Sequence, residues 1–168
     1  ADGVSVERGA AFLAAFAEAA HVGADAEHDI AATQPAKLRH AQPGLDRDDE
    51  QGVLDVTAEI LEWHGYKVLT ARDGQQALSL FEQHAGDIKV VITDILMPFM
   101  DGVELCRELR KRNATLPIIV ASGMGHEKFV TDLRELGVPV FLKKPFAAEE
   151  LLRSMHAELH REESAAVG

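Results

Sequence analysis

A chain of 168 residues with 46% hydrophobic composition is long enough for one sizeable core plus an appendage, and two full domains would strain it. Its formal net charge of −11 argues against an autonomous nucleic-acid-binding module, whose affinity rests on clustered Lys and Arg, so protein partners and a metal ion are expected instead. The single cysteine, Cys106, excludes an intrachain disulfide and fits a reducing compartment, with the cytoplasm as the default.

No stretch reaches transmembrane length. The Ala-rich run Ala10 to Ala20 contains Glu18 and lacks the basic flank of a signal peptide, so neither export nor membrane insertion is expected. The same run has strong helix propensity, and Phe12, Leu13 and Phe16 are spaced for one apolar stripe, which predicts a helix of about three turns that needs a partner surface. From His21 to Arg47 large apolar residues are scarce, and Pro35, Pro43 and Gly44 punctuate a linker. Residues 1–40 are therefore expected to be helix and linker, 41–162 the main domain and 163–168 a disordered tail.

Beyond Asp48 helices and strands alternate. Val53, Val56, Ile60 and Leu61 repeat at helical spacing until Gly65, and Tyr66 to Ala71 reads as a strand. A helix over Gln75–Gln83 turns Ala77, Leu78 and Phe81 inward. Val90, Val91 and Ile92 then form an apolar β-branched run that suits a strand buried on both faces. The helix after Gly102 carries Val103, Cys106 and Leu109 on one face, with Cys106 as core packing, and its basic end of Arg110, Lys111 and Arg112 suits a helix C-terminus. Pro117–Ala121 is the next strand, a helix follows through Phe129, Val130, Leu133 and Leu136 to Gly137, and Val138–Leu142 is the last strand. Leu151, Leu152, Met155 and Leu159 mark the final helix. This alternation implies right-handed βαβ units, hence a doubly wound α/β domain with a parallel sheet covered on both faces.

Four chemical groups fall at strand ends: Asp48 with Asp49, then Asp94, then Ser122, then Lys144 before Pro145. In a doubly wound sheet such positions converge on one crevice. Clustered carboxylates repel unless a cation sits among them, and oxygen ligands select a hard ion such as Mg²⁺. Carboxylate, metal, ammonium and hydroxyl are the parts needed to accept a phosphoryl group, with Asp94 as nucleophile.

On these residues, positions 48 to about 160 resemble the receiver domain of two-component response regulators. DDE carries Asp48 and Asp49, ITDILMPFMDG carries Asp94, PIIVASG carries Ser122 and FLKKPF carries Phe141 and Lys144; the spacings from Asp49 through Asp94 and Ser122 to Lys144 are 45, 28 and 22 residues. The resemblance implies a flavodoxin-like, five-stranded parallel sheet in the order 2-1-3-4-5. It also implies that Asp94 is the phosphorylated residue, and that Asp48, Asp49, Asp94 and the backbone carbonyl of Leu96 hold Mg²⁺. Ser122 is then the switch hydroxyl, Phe141 the aromatic that turns inward on activation, and Lys144, not Lys143, the phosphate-contacting lysine before a cis-proline bond. The implied donor is a histidine kinase or histidine phosphotransfer domain, and the chain is similar to a stand-alone receiver or the terminal receiver of a hybrid kinase. No turnover of external substrates is expected, since an aspartyl-phosphate hydrolase would need an acid at Leu96; a homodimer stays open.

One departure stands out. The residues before the acidic pair, HAQPGLDR, offer only Leu45 as a large apolar side chain and place Arg47 where burial is expected. Either a strained first strand forms there, the favoured expectation, or another segment such as Gly3 to Glu7 takes the central slot. This departure keeps a second reading in play, a degenerate receiver that works as a phosphorylation-independent interaction or dimerisation module. His156 and His160, at i and i+4, are expected to form a solvated face because no third metal ligand accompanies them.

Overall fold

The structure, a computed structural model, describes residues 12–16, 50–123 and 127–161. In chain order the elements are β1 (Phe12–Phe16), α1 (Glu50–Trp63), β2 (Lys67–Ala71), α2 (Gly74–Gln83), β3 (Val90–Asp94), α3 (Gly102–Arg112), β4 (Ile118–Ser122), α4 (Glu127–Glu135), β5 (Val140–Lys143) and α5 (Ala148–Leu159). Glycines close two of the helices. After α1, Gly65 at φ 86° lets Tyr66 N–H donate to the Leu61 carbonyl at 3.0 Å; after α4, Gly137 at φ 70° lets Val138 N–H reach the Leu133 carbonyl at 2.9 Å. Both are six-to-one returns that need a left-handed residue.

The strands form one sheet in the order β2-β1-β3-β4-β5. Its β3, β4 and β5 pair in parallel, with Asp94 opposite Ala121 and Ser122 opposite Lys143. Two apolar layers cover it. Val91, Ile118 and Val120 face Ala77 and Phe81 of α2, Cys106 and Leu109 of α3 and Leu133 of α4. Val90, Ile92 and Ile119 face Leu54, Ile60 and Leu61 of α1 and Leu151, Leu152 and Met155 of α5. Successive β3 residues thus feed opposite layers, as the two-residue strand period requires, and every β3 residue is buried.

The centre of the sheet corrects three expectations. Phe12–Phe16 is a strand and not part of a helix, it fills the slot between β2 and β3 in place of either segment expected there, and it is antiparallel to both neighbours, so the sheet is mixed and not parallel. Ala14 sits opposite Leu69 on one side and Val91 on the other. The physical reason is non-local. Two flanking strands present rows of backbone N–H and C=O groups that only another strand satisfies, and this outweighs the helix propensity of an Ala-rich run. A central strand at Leu45–Asp48 would bury the Arg47 guanidinium beside Val90–Ile92. The segments His40–Asp49 and Gly3–Glu7 lie outside the described residues, as does the tail 163–168.

This register is directly checkable. Nuclear Overhauser contacts between backbone protons should join Ala14 to both Leu69 and Val91; contacts joining Val90–Ile92 to residues 44–48 instead would reject it.

Candidate functional site

Asp94 ends β3 with only 5% of its surface exposed. The ammonium of Lys144, immediately after β5, ion-pairs with Asp94 Oδ2. The other oxygen, Oδ1, accepts a long hydrogen bond from Leu96 N–H at 3.3 Å. Lys144 is held for this task by its own N–H, which donates to the Ser122 carbonyl at 2.8 Å, and the Lys144–Pro145 peptide is cis. The ends of β3, β4 and β5 therefore meet around one carboxylate. Lys144, and not its exposed neighbour Lys143, makes the contact. Ser122 lies one step past the residue opposite Asp94 and is half-buried. Phe141, opposite Val120, is half-buried against the layer that contains Val103 and Leu133.

The loop after Asp94 is folded tightly onto the strand end. Thr93 Oγ1 donates to the Asp94 carbonyl at 3.0 Å, and Gly102 N–H donates to the Ile95 carbonyl at 2.8 Å. A Cβ on Gly102 would lie 2.1 Å from the Asp94 carbonyl oxygen, so glycine is required there by close approach. Asp101 caps α3 reciprocally: its Oδ1 accepts from Glu104 N–H at 2.8 Å while Glu104 Oε2 accepts from Asp101 N–H at 3.2 Å. At the other side of the loop, a Cβ on Gly74, the first residue of α2, would meet the Met100 carbonyl oxygen at 2.6 Å.

Asp48 and Asp49 lie outside the described residues, so the structure does not place them against Asp94. Topology does place Glu50. Both β2 and β3 run antiparallel to β1 and hence parallel to each other, and α1 runs back along β2 to reach its start, so Glu50 begins at the edge where Asp94 ends its strand. For Mg²⁺, the described part of the donor set fits. Asp94 Oδ1 has a single long hydrogen bond and spare lone pairs, and its oxygen chemistry suits a hard cation. Among the described residues no group of three or more His, Cys, Asp and Glu gathers, at Asp94 or elsewhere. The rings of His156 and His160 lie 4.2 Å apart. Cys106 is fully buried, and burial pushes its thiol up to about 12 against the opposing pull of the Arg110 guanidinium.

Two roles escaped sequence reasoning. Arg110 spends its guanidinium on the carbonyls of Leu116, Leu136 at 2.8 Å and Gly137 at 2.9 Å, tying α3 to the turn before β5; its partners at 136 and 137 are too remote in sequence to be read locally. Phe99 adopts φ 66° and is 84% exposed, in a loop whose composition shows no glycine at that position.

Known proteins resemble the chain over this same region. The model of the response regulator receiver domain matches residues 47–156. The probable transcriptional regulator ycf27 of Guillardia theta is 40% identical over 119 residues, covering 71% of this chain and 46% of that protein. The alkaline phosphatase synthesis transcriptional regulatory protein PhoP of Bacillus subtilis is 34% identical, covering 71% and 49%. The chain thus spans about half the length of the curated relatives it matches. Among solved structures, a response regulator receiver domain protein from Clostridium thermocellum aligns with a TM-score of 0.66 at 29% identity, covering 70% of this chain and 93% of that one. A CheY-like receiver domain protein from Methanospirillum hungatei aligns at 0.65 and 26%, covering 70% and 92%.

The close approach at Gly102 sets a stability test. Gly102→Ala should lower the unfolding free energy by about 3 kcal/mol, the upper range for overpacking against backbone, whereas Gly86→Ala, with nothing within 4 Å of the added carbon, should change it little. Urea denaturation midpoints of the two variants give the comparison.

Proposed function

The chain belongs to the response regulator receiver family, and from that premise we propose that it is a phosphoacceptor module of a two-component phosphorelay, modified on Asp94. The observation that carries this is the buried Asp94 carboxylate in contact with the Lys144 ammonium where three strands end. The donor is a histidine kinase or a histidine phosphotransfer domain. An Asp94 carboxylate oxygen attacks the phosphorus, a P–O bond forms, the P–N bond to the donor imidazole breaks, and the imidazole leaves with the electron pair.

Each neighbour has a part. The Lys144 ammonium offsets charge on the transferred oxygens, and the Ser122 hydroxyl donates a hydrogen bond to one of them. Asp48, Asp49, Asp94 and the Leu96 carbonyl are the ligands proposed for Mg²⁺, which when bound neutralises negative charge that would repel the nucleophile. The new phosphoryl group, carrying about −1.5 to −2 charge, draws Ser122 and Lys144 toward it and frees space into which the half-buried Phe141 turns. The reading supposes a cytoplasmic protein that turns over no external substrate; no helix among the described residues is long and apolar enough to cross a membrane. The antiparallel β1 favours a second reading, an interaction module that works without phosphorylation.

Acetyl phosphate with Mg²⁺ separates the two. Intact mass of the wild-type chain should rise by one phosphoryl group, Asp94→Ala should stay unlabelled, and Lys144→Ala should label roughly 100-fold more slowly, the typical effect of deleting one charge-stabilising donor. An unlabelled wild type would overturn the phosphoacceptor reading in favour of the second.

A further inference from the structure

We infer that the imidazoles of His156 and His160 form half of a zinc site, which the same pair from a second copy of the chain completes, so that one Zn²⁺ joins two chains through α5. The inference is independent of the chemistry proposed for Asp94.

The helix supplies the pair. Leu151, Leu152, Met155 and Glu158 are buried and seat α5 on the sheet, while His156 and His160 stand exposed. Residues four apart share one helix face. Although His160 caps the helix, its N–H donates to the His156 carbonyl at 3.2 Å, so the helical spacing is kept up to the second ring. The two ring centres lie 4.2 Å apart, with the planes at 54° to each other.

That distance suits one shared ion. Two imidazoles on a tetrahedral ion, with Zn–N bonds of about 2.0–2.1 Å, hold their ring centres roughly 5 Å apart. Small rotations of two exposed side chains make up the difference. The helix holds both donors together before the metal arrives, so the second bond forms intramolecularly and at high effective concentration. Imidazole nitrogen selects Zn²⁺ and its transition-metal neighbours, whereas the carboxylate oxygens of Asp94 suit the hard Mg²⁺.

Ligand count identifies the partner. A structural zinc site takes four protein ligands in tetrahedral array. Among the described residues no group of three or more His, Cys, Asp and Glu gathers, so the pair fills two positions and leaves two to be supplied. A second copy related by a two-fold axis through the ion supplies them, because that symmetry presents the same patch from both sides. The surroundings allow the approach. Ala157, exposed beside the pair, is too small to hold a facing helix away, and the neighbouring Arg161 guanidinium is engaged by the Glu158 carboxylate at 3.2 Å. Arg153, one turn earlier, is exposed to water that screens its charge.

The test reads the mass of the full chain by light scattering after gel filtration, in EDTA and with Zn²⁺. Zinc should raise the mass about twofold, as a closed two-fold pair requires, and EDTA should return it. Metal analysis should find about one ion per two chains in excess of what a His156→Ala, His160→Ala double variant binds. Each single variant should lose the zinc-dependent rise. So should His160→Ala combined with Ala157→His, which keeps two imidazoles but sets them on different faces of the helix. All the substituted positions are exposed, and thermal melts should show the variants folded. A chain that stays single in zinc overturns the inference, as does a dimer that persists in EDTA. A zinc-dependent dimer in the double variant overturns it equally.

Discussion

A carboxylate at the end of an entirely buried strand needs a counter-charge, and the pairing of Asp94 with Lys144 is the interaction on which the rim depends. Loss of Lys144 would leave the Asp94 charge uncompensated in a desolvated place, which is more damaging than the pair itself is stabilising. The pair is also structural in a wider sense. It joins β3 to β5 across the end of β4, while the Lys144 N–H ties the same residue to the Ser122 carbonyl. The ion pair with Asp94 and the tie to β4 are therefore carried by the same residue, so a change of charge at Asp94 acts on a residue already bonded to its neighbour strand.

What was legible in the sequence was local. The apolar run at Val90–Ile92, the stop signals at Gly65 and Gly137 and the turn residues Asp101 and Gly102 each announced themselves through period or turn chemistry, and their elements formed as expected. The resemblance chose Lys144 over Lys143, and it is the Lys144 ammonium that meets Asp94. The failures were non-local. Phe12–Phe16 has the propensity of a helix and became a strand because β2 and β3 needed one between them. Arg110 read as a simple complement to a helix end, yet its guanidinium bonds the chain 26 and 27 residues away. Phe99 gave no warning because the pattern of side chains in LMPFM does not encode the sign of φ.

Strand polarity sets which edge of the sheet the described chain reaches at each element. In a parallel arrangement the first strand would deliver the chain directly to Asp94's edge. Here β1 runs the other way, so Phe16 lies at the edge opposite Asp94, beside Lys67 at the start of β2. The chain reaches Asp94's edge again at Glu50, the first residue of α1, whose Leu54, Ile60 and Leu61 seat it on the sheet. The packing of α1 on the sheet therefore fixes where Glu50 stands at that edge.

The contact between Gly74 and Met100 gives the rim a mechanical property. With a hypothetical Cβ only 2.6 Å from the Met100 carbonyl oxygen, the start of α2 and the Asp94 loop approach more closely than any residue but glycine allows. Movement of the Met100 backbone toward α2 would press on Gly74, so a local disturbance of the loop after Asp94 would be felt at the start of that helix.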